Sequence, residues 1–289
     1  IPFITLDLEK EYKEEVVDYM IAGYKKGIVP NPDVMCNKIV KFGGFFNKAI
    51  QMGADYVATG HYARTQGKDL LAGKDENKDQ SYFLWTITQK ELSKTLFPVG
   101  DIKKDEVRKL AEKFNLPTAK KKDSQGLCFL GKIDIKEFLK RYIKEKKGDV
   151  LNEAGEKMGE HDGAAYYTIG ERHGFDIIKK GTDDKPYFVV GKDMKKNILV
   201  VSHNKAKADS SKKEIQIEKT NWINSAPVPD KKYSARIRYR GELKPCKLSE
   251  VEPHSLKATV VFDEPQESVA PGQSLVVYDG DICLGGGVI

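Results

Sequence analysis

Cysteine is scarce in this chain. Four occur in 289 residues, Cys36, Cys128, Cys246 and Cys283, at spacings of 92, 118 and 37. No Cys-x-x-Cys pair occurs among them, which excludes a zinc-finger pattern and a dense disulfide framework. A reducing, cytoplasmic compartment is therefore expected. His161, His173, His203 and His254 show no metal-ligand spacing. No apolar run reaches the ~18 residues of a membrane span, so no membrane partner is expected. The first residues, Ile1-Pro2-Phe3-Ile4-Thr5-Leu6, carry neither a basic region nor a cleavage site, so no signal peptide is expected. A hydrophobic fraction of 39% and a mean hydropathy of −0.52 predict a globular chain of two or three domains.

What is present is unevenly placed. The net charge of +6 resides in residues 101–150, which hold 15 Lys/Arg against 9 Asp/Glu. Lys120-Lys121-Lys122 lies there, just before the Cys128 segment. A charge run is usually a solvated surface, but beside a reactive thiol it favours a polyanionic partner, because Lys and Arg bound to phosphates release counterions.

Two of the thiols sit in polar, turn-rich strings: Asn31-Pro32-Asp33-Val34-Met35-Cys36-Asn37 and Asp123-Ser124-Gln125-Gly126-Leu127-Cys128-Phe129. A thiolate is the reactive form of cysteine and needs such surroundings near neutral pH. Asp33 is expected to cap a helix starting near Val34, with Cys36 in its first turn. The helix dipole then favours a Cys36 thiolate and the Asp33 charge opposes it. Cys246 and Cys283 lie in alternating, strand-like sequence and read as packing residues.

The chain order predicts three parts. Residues 1–8 read as a short buried strand that starts abruptly, as if a preceding segment were missing. Tyr12, Val16, Tyr19, Met20 and Tyr24 share one helical face ended by Gly27. A second helix follows the Asn31–Asn37 turn, and Asp55–Thr59 forms a strand ending at Gly60-His61. This strand–helix–strand order predicts a parallel α/β sheet, with ligands beyond the carboxyl ends of its strands. Val107, Leu110, Ala111 and Phe114 mark a further helix. Another begins at Asp134 as N-cap with Glu137 three residues on. Tyr82-Phe83-Leu84-Trp85 reads as core. Beyond Gly148, short alternating strands take over, including a strand at 233–239 and a hairpin turn at Asp279-Gly280. The expected domains are an incomplete α/β domain over 1–147, a small central domain over 148–208 and a β-barrel over 209–289.

Several strings occur together in one order: Asn31–Asn37, Ala58-Thr59-Gly60-His61-Tyr62-Ala63-Arg64, Lys78-Asp79-Gln80-Ser81-Tyr82-Phe83-Leu84, residues 123–131, Tyr167-Thr168-Ile169-Gly170-Glu171-Arg172, Ala270-Pro271-Gly272-Gln273 and Leu284-Gly285-Gly286-Gly287-Val288-Ile289. With them the chain resembles, along its whole length, the bacterial-type tRNA-specific 2-thiouridylases. Those enzymes replace the C2 oxygen of the wobble uridine, position 34, with sulfur.

The resemblance implies a pyrophosphatase-loop domain (adenine nucleotide hydrolase-like), a central domain and a β-barrel. It also implies ATP, with Mg²⁺, as cofactor. The family's Ser-Gly-Gly-x-Asp-Ser-type loop, which cradles the ATP phosphates at a helix N-terminus, does not occur in this sequence. The first several dozen residues are thus expected to be missing, and Gly60 is the nucleotide contact that carries over. Cys128 would accept a persulfide from a sulfur-donor protein, and Cys36 would take Cys128 into a disulfide. Asp33 would act as acid/base. Asn31, Pro32 and Asp33 would touch the flipped base, while His61, Lys78, Asp79, Gln80, Arg238, Tyr239 and Gln273 would contact tRNA. The implied acceptors are tRNAs for Lys, Glu and Gln. From the residues alone, His61 could equally be a satisfied histidine at a strand end, and Arg238 and Arg240 are phosphate candidates on one side of a 237–239 strand. Two other readings stay open: another pyrophosphatase-loop tRNA-modifying ligase, and a non-catalytic tRNA-binding remnant.

Overall fold

Local sequence rules account for the two helices that open the molecule. The computed structural model describes residues 2–121, 131, 134–178, 185–204, 212–252, 255–267 and 269–289. Cys128, Lys122 and the 123–131 motif except Gly131 lie outside the described residues.

The first helix occupies residues 9–25, as Glu9–Glu11, a wider π-wound stretch Tyr12–Val17, and Asp18–Lys25. Val17, Met20 and Ile21 on its apolar face pack against Leu199 and Val201 of the middle domain. Gly27 stops it as expected. Its φ of +77° suits glycine, and a Cβ there would lie 2.7 Å from Met194 Cγ. The second helix occupies residues 32–51, as Pro32–Met35, the π-wound Cys36–Phe45 and Phe46–Gln51.

Strand β1 (Val57–Ala58) pairs in parallel with β4 (Thr95–Leu96), which gives the α/β part its parallel sheet. The strand expected over residues 1–8 is corrected. Residues 2–8 carry no strand pairing, and Phe3 and Ile4 are 91% and 61% exposed. A strand is defined by its ladder, and those residues have no partner strand among the described residues. The helix Lys104–Lys113 forms, but none of its residues is buried, and Leu110 and Phe114 face outward.

The helix Ile135–Lys140, inside the span expected for the α/β domain, packs its Phe138 and Leu139 in one cluster with Val150 and Leu199 of the middle sheet. Asp134 caps it as expected, its Oδ1 accepting from the Glu137 amide at 3.0 Å. Strands β5 (Gly148–Leu151), β6 (Lys157–His161), β7 (Asp176–Ile177), β8 (Phe188–Asp193) and β9 (Ile198–Ser202) form one sheet in the order β7-β6-β5-β9-β8.

Six strands then close a barrel: β10 (Lys212–Trp222), β11 (Lys232–Arg236), β12 (Lys244–Glu252), β13 (Lys257–Gln266), β14 (Ser274–Asp279) and β15 (Ile282–Val288). Their order is β10-β13-β12-β11-β14-β15, with β15 returning to β10. Asp279-Gly280 makes the expected hairpin turn between β14 and β15. The closure explains the terminal glycines. A Cβ at Gly285 would lie 2.0 Å from the Asn221 carbonyl, and one at Gly286 would lie 2.1 Å from that of Leu275. No side chain fits where β15 threads between β10 and β14.

Separation by sequence is not separation in space. The hairpin β2 (Ala63–Gln66) and β3 (Asp69–Ala72) adds to the barrel sheet through Leu71 opposite Ile282 and Leu70 opposite Cys283. One apolar core joins Val34, Phe42, Tyr82, Leu84 and Trp85 to Val276, Tyr278 and Cys283.

Candidate active site

Where the three parts meet, a pocket of about 360 Å³ is lined by Met20, Tyr24, Val29, Pro30, Asn31, Pro32, Asp33, Phe83, Ile135, Tyr239 and Gln273. Five of the expected site residues, Asn31, Pro32, Asp33, Tyr239 and Gln273, converge there.

The Asn31-Pro32-Asp33 turn is built by its own sequence. Pro32 opens the helix at the first position, where its missing N–H costs nothing. Asn31, not Asp33, is the N-cap: its Oδ1 accepts from the Val34 amide at 3.3 Å. This corrects the expected cap. The cap needs non-helical backbone before the proline, which only Asn31 supplies. Asp33 is thereby left on the pocket wall. Cys36 falls one turn further in, with no exposed surface, among Leu8, Tyr12, Val16, Met35, Ile39 and Val40, which corrects the polar setting expected for this thiol: its side of the helix packs on the first helix. Cys246 and Cys283 lie elsewhere, in the barrel strands. Both thiols are buried in the barrel core, and burial pushes each up to about 12, so they are packing residues.

His61 points inward and serves the same helix. Its ring is 6% exposed and reaches Thr59 Oγ1 (2.9 Å), Asn37 Oδ1 (3.0 Å) and Lys41 Nζ (3.2 Å). Asn37 Nδ2 donates to the Asp33 carbonyl at 3.0 Å. Its Oδ1 and Lys41 Nζ both face His61 Nε2, which donates to Asn37 when it carries the ring proton and accepts from Lys41 when it does not. Burial, with the Lys41 charge second, pulls His61 down to about 3. In the unfolded chain a histidine titrates near 6.5. Because the folded value is the lower one, the stability contribution of neutral His61 is complete above pH 6.5. It is lost at up to about 1.4 kcal/mol per pH unit as pH falls from there toward 3. His61→Gln is expected to flatten the fall in stability between pH 6.5 and 4, measured by urea unfolding. An unchanged acid limb would refute the buried neutral assignment.

The Lys78-Asp79-Gln80 segment turns toward the barrel. Asp79, 3% exposed, accepts from the amides of Gly73 and Ser81 at 3.0 Å each and from Ser81 Oγ at 3.0 Å. It also pairs with the buried Arg236 at 3.3 Å. Gln80 Oε1 accepts from the Tyr62 amide at 3.0 Å. Lys78 is half-buried beside them. Asp79 thus ties the α/β part to the barrel, and Gln80 holds the segment to Tyr62 within the α/β part.

Strand β11 ends at Arg236, so the strand expected through Tyr239 is corrected. Residues 237–240 turn instead, with Arg240 at φ +58° and its guanidinium over the Tyr239 ring. The buried Asp79–Arg236 pair anchors the strand's last residue. Arg238 and Arg240 are exposed on this turn.

Phe83 is the residue that the core reading of 82–85 missed. Ser81–Leu84 is a 3₁₀ turn. Its three-residue repeat sets Tyr82 and Trp85 on one side. There they donate to the Ser274 carbonyl (2.9 Å) and Ser274 Oγ (3.0 Å). Phe83 is left facing the pocket, packed on Tyr239 with ring centroids 4.4 Å apart. The only sequence signal was a repeat of three, not of 3.6.

Gly60 lies past the carboxyl end of β1, exposed, with nothing within 4 Å of where a Cβ would be. An open backbone edge at a parallel strand end fits a nucleotide contact. Among the described residues, no three His, Cys, Asp or Glu gather to hold a metal ion, and no helix is long and apolar enough to cross a membrane.

Three family models cover the chain: a "tRNA methyl transferase HUP domain" over residues 1–132, a "tRNA methyl transferase PRC-barrel domain" over 136–203, and an "Aminomethyltransferase beta-barrel domain" over 212–289. The chain is similar to the tRNA-specific 2-thiouridylase MnmA of Enterococcus faecalis, 45% identical over 295 residues. It is likewise similar to those of Streptococcus mutans, 46% over 301, and Francisella philomiragia, 43% over 296. All of this chain takes part in each match, against 79%, 79% and 82% of the relative.

Proposed function

The chain belongs to the family of tRNA-specific 2-thiouridylases, and we propose that it is a tRNA-uridine 2-sulfurtransferase acting on the wobble uridine of tRNA in the cytoplasm. The observation that carries this reading is the pocket in which Asn31, Pro32 and Asp33 meet Phe83, Tyr239 and Gln273, with Cys36 one turn behind. Planar aromatic walls with a few polar groups suit an extruded base, which stacks on rings while its edge is read by hydrogen bonds. Arg238 and Arg240 on the adjoining turn suit the phosphates on either side. Cys36 favours a sulfurtransferase over a ligase, which has no use for that thiol.

ATP, when bound, supplies the adenylyl group that makes the uridine O2 a leaving group, with Gly60 giving a backbone contact and Mg²⁺ accompanying the phosphates. The chain's own residues do the rest. Asn31, Pro32 and Asp33 hold the base edge, and Asp33 accepts or returns a proton there. Cys128, loaded as a persulfide by a donor protein, would bond its outer sulfur to C2 while the C2–O2 bond breaks and the oxygen leaves on AMP. The Cys36 thiolate then attacks the inner sulfur of Cys128. The S–S bond to the transferred atom breaks, its electron pair stays on the new thiocarbonyl, and a Cys36–Cys128 disulfide remains. The two thiols supply the two electrons that reduce the persulfide sulfur, and an external thiol must later reduce the disulfide. The acceptors implied are tRNAs for Lys, Glu and Gln.

The direct test incubates the protein with ATP, Mg²⁺, a sulfide source and unmodified tRNA, then digests the RNA and measures 2-thiouridine by mass spectrometry. ATP-dependent 2-thiouridine at position 34 is expected. Its formation at another position, or intact binding with no product, would sink the reading.

A further inference from the structure

The turn that carries Asn31 and Asp33 is held from two domains, neither of which contributes it. Gln273, in the loop before β14, donates from Nε2 to the carbonyls of Val29 (2.9 Å) and Pro30 (3.4 Å), the two residues ahead of the Asn31 cap. The Val29 amide donates to the Pro271 carbonyl at 2.9 Å. The contact is tight, since a Cβ on Gly272, at φ +92°, would lie 2.9 Å from the Val29 carbonyl oxygen. The barrel end of this bridge is fixed as well. Gly272 donates to Ile289 O at 2.8 Å, and Ile289 donates back to Gln273 O at 2.9 Å. From the opposite side, Lys192 of β8 donates to the Gly27 carbonyl at 2.9 Å and the Tyr167 carbonyl at 2.7 Å. Residues 27–30 are thus clamped between the middle domain and the barrel.

We infer that Gln273 is a positioning residue: it sets the Asn31–Asp33 turn through the Val29 and Pro30 carbonyls, with Lys192 as its counterpart. This rests on the 2-thiouridylase reading and departs from the assignment of Gln273 as an RNA contact. Gln273's two amide hydrogens have partners within the protein, in carbonyls 243 and 244 residues away along the chain. A base whose activated C2 must meet the persulfide sulfur tolerates little displacement, because a misplacement near 1 Å can cost on the order of 100-fold in rate.

The test compares wild type with Gln273→Glu, which keeps the shape but opposes a carboxylate to two carbonyls, and with Lys192→Met. Three quantities are read: single-turnover 2-thiouridine formation at saturating tRNA, tRNA affinity by fluorescence anisotropy, and hydrogen exchange of the 29–35 amides. For both variants the saturating rate is expected to fall about 10-fold or more, with affinity within about 2-fold of wild type and faster exchange at 29–35. A loss of affinity with an unchanged saturating rate and unchanged exchange would overturn the inference and make Gln273 an RNA contact. If wild type made no 2-thiouridine, the functional reading would fail while exchange still decided the clamp. Should Gln273→Glu not fold, Gln273→Met removes the donors without adding charge.

Discussion

Cys128→Ser is expected to abolish 2-thiouridine formation while leaving tRNA binding close to wild type, and Cys36→Ala to stall the reaction with sulfur still on the protein. The first follows from valence: a serine oxygen cannot carry a transferable sulfane sulfur, whereas the RNA binding proposed above draws on Arg238, Arg240, Tyr239 and Phe83. The second follows from the proposed release step, in which Cys36 supplies the attacking thiolate. Alanine is the informative replacement at 36, because that position has no exposed surface among apolar side chains. A serine there would bury a hydroxyl at a cost of about 1–3 kcal/mol and confuse chemistry with stability. Intact-protein mass spectrometry after reaction with sulfur donor, ATP and tRNA, followed by nuclease digestion, should show the Cys36→Ala protein heavier by one sulfur atom together with the nucleoside it has bonded. Near-normal thiolation by Cys128→Ser would remove that thiol from the mechanism. A Cys36→Ala protein that retained no sulfur would remove the disulfide step.

The second large effect concerns stability. Asp79→Ala is expected to cost about 3–5 kcal/mol, because removing one partner of a buried ion pair leaves the other charged and unpaired. Arg236 is 9% exposed, stacks over Tyr278 with its guanidinium 4.9 Å from the ring centroid, and has Asp79 as its ion-pair partner. The same change orphans the Gly73 and Ser81 amides. For a chain of this size the melting temperature should drop on the order of 10 °C. The double change Asp79→Leu with Arg236→Met should recover much of that loss, since both charges leave the interior together. An exposed RNA contact would behave oppositely, with stability within about 0.5 kcal/mol and weaker tRNA binding. Thermal unfolding beside anisotropy separates the two.

The Asp79 case shows how the readable and unreadable parts divide. Short-range rules gave the helix of Tyr12–Tyr24 and its stop at Gly27, the Asp134 cap and the Asp279-Gly280 hairpin. Each depends on backbone preferences within a few residues. The same rules misjudged the cap at 31–33, where the proline constrains the residue before it, and the strand through Tyr239, which ends at Arg236, the residue a distant ion pair holds. Alternating apolar sequence could not reveal that the 63–72 hairpin pairs with β15, because one strand's pattern does not name its neighbour.

By itself the amino-acid order determined the family, the chemistry-bearing types at Asp33, Cys36 and Cys128, and most element boundaries, since all of these are written in contiguous residues. Only the tertiary structure decided which of the expected contacts face a common cavity. Tyr239 and Gln273 reach Asp33, whereas His61 and Asp79 turn inward, and Phe83 joins the wall unannounced. Those outcomes depend on packing between segments up to some 240 residues apart in sequence, and burial and partner choice at that range are properties of the assembled core rather than of any local string.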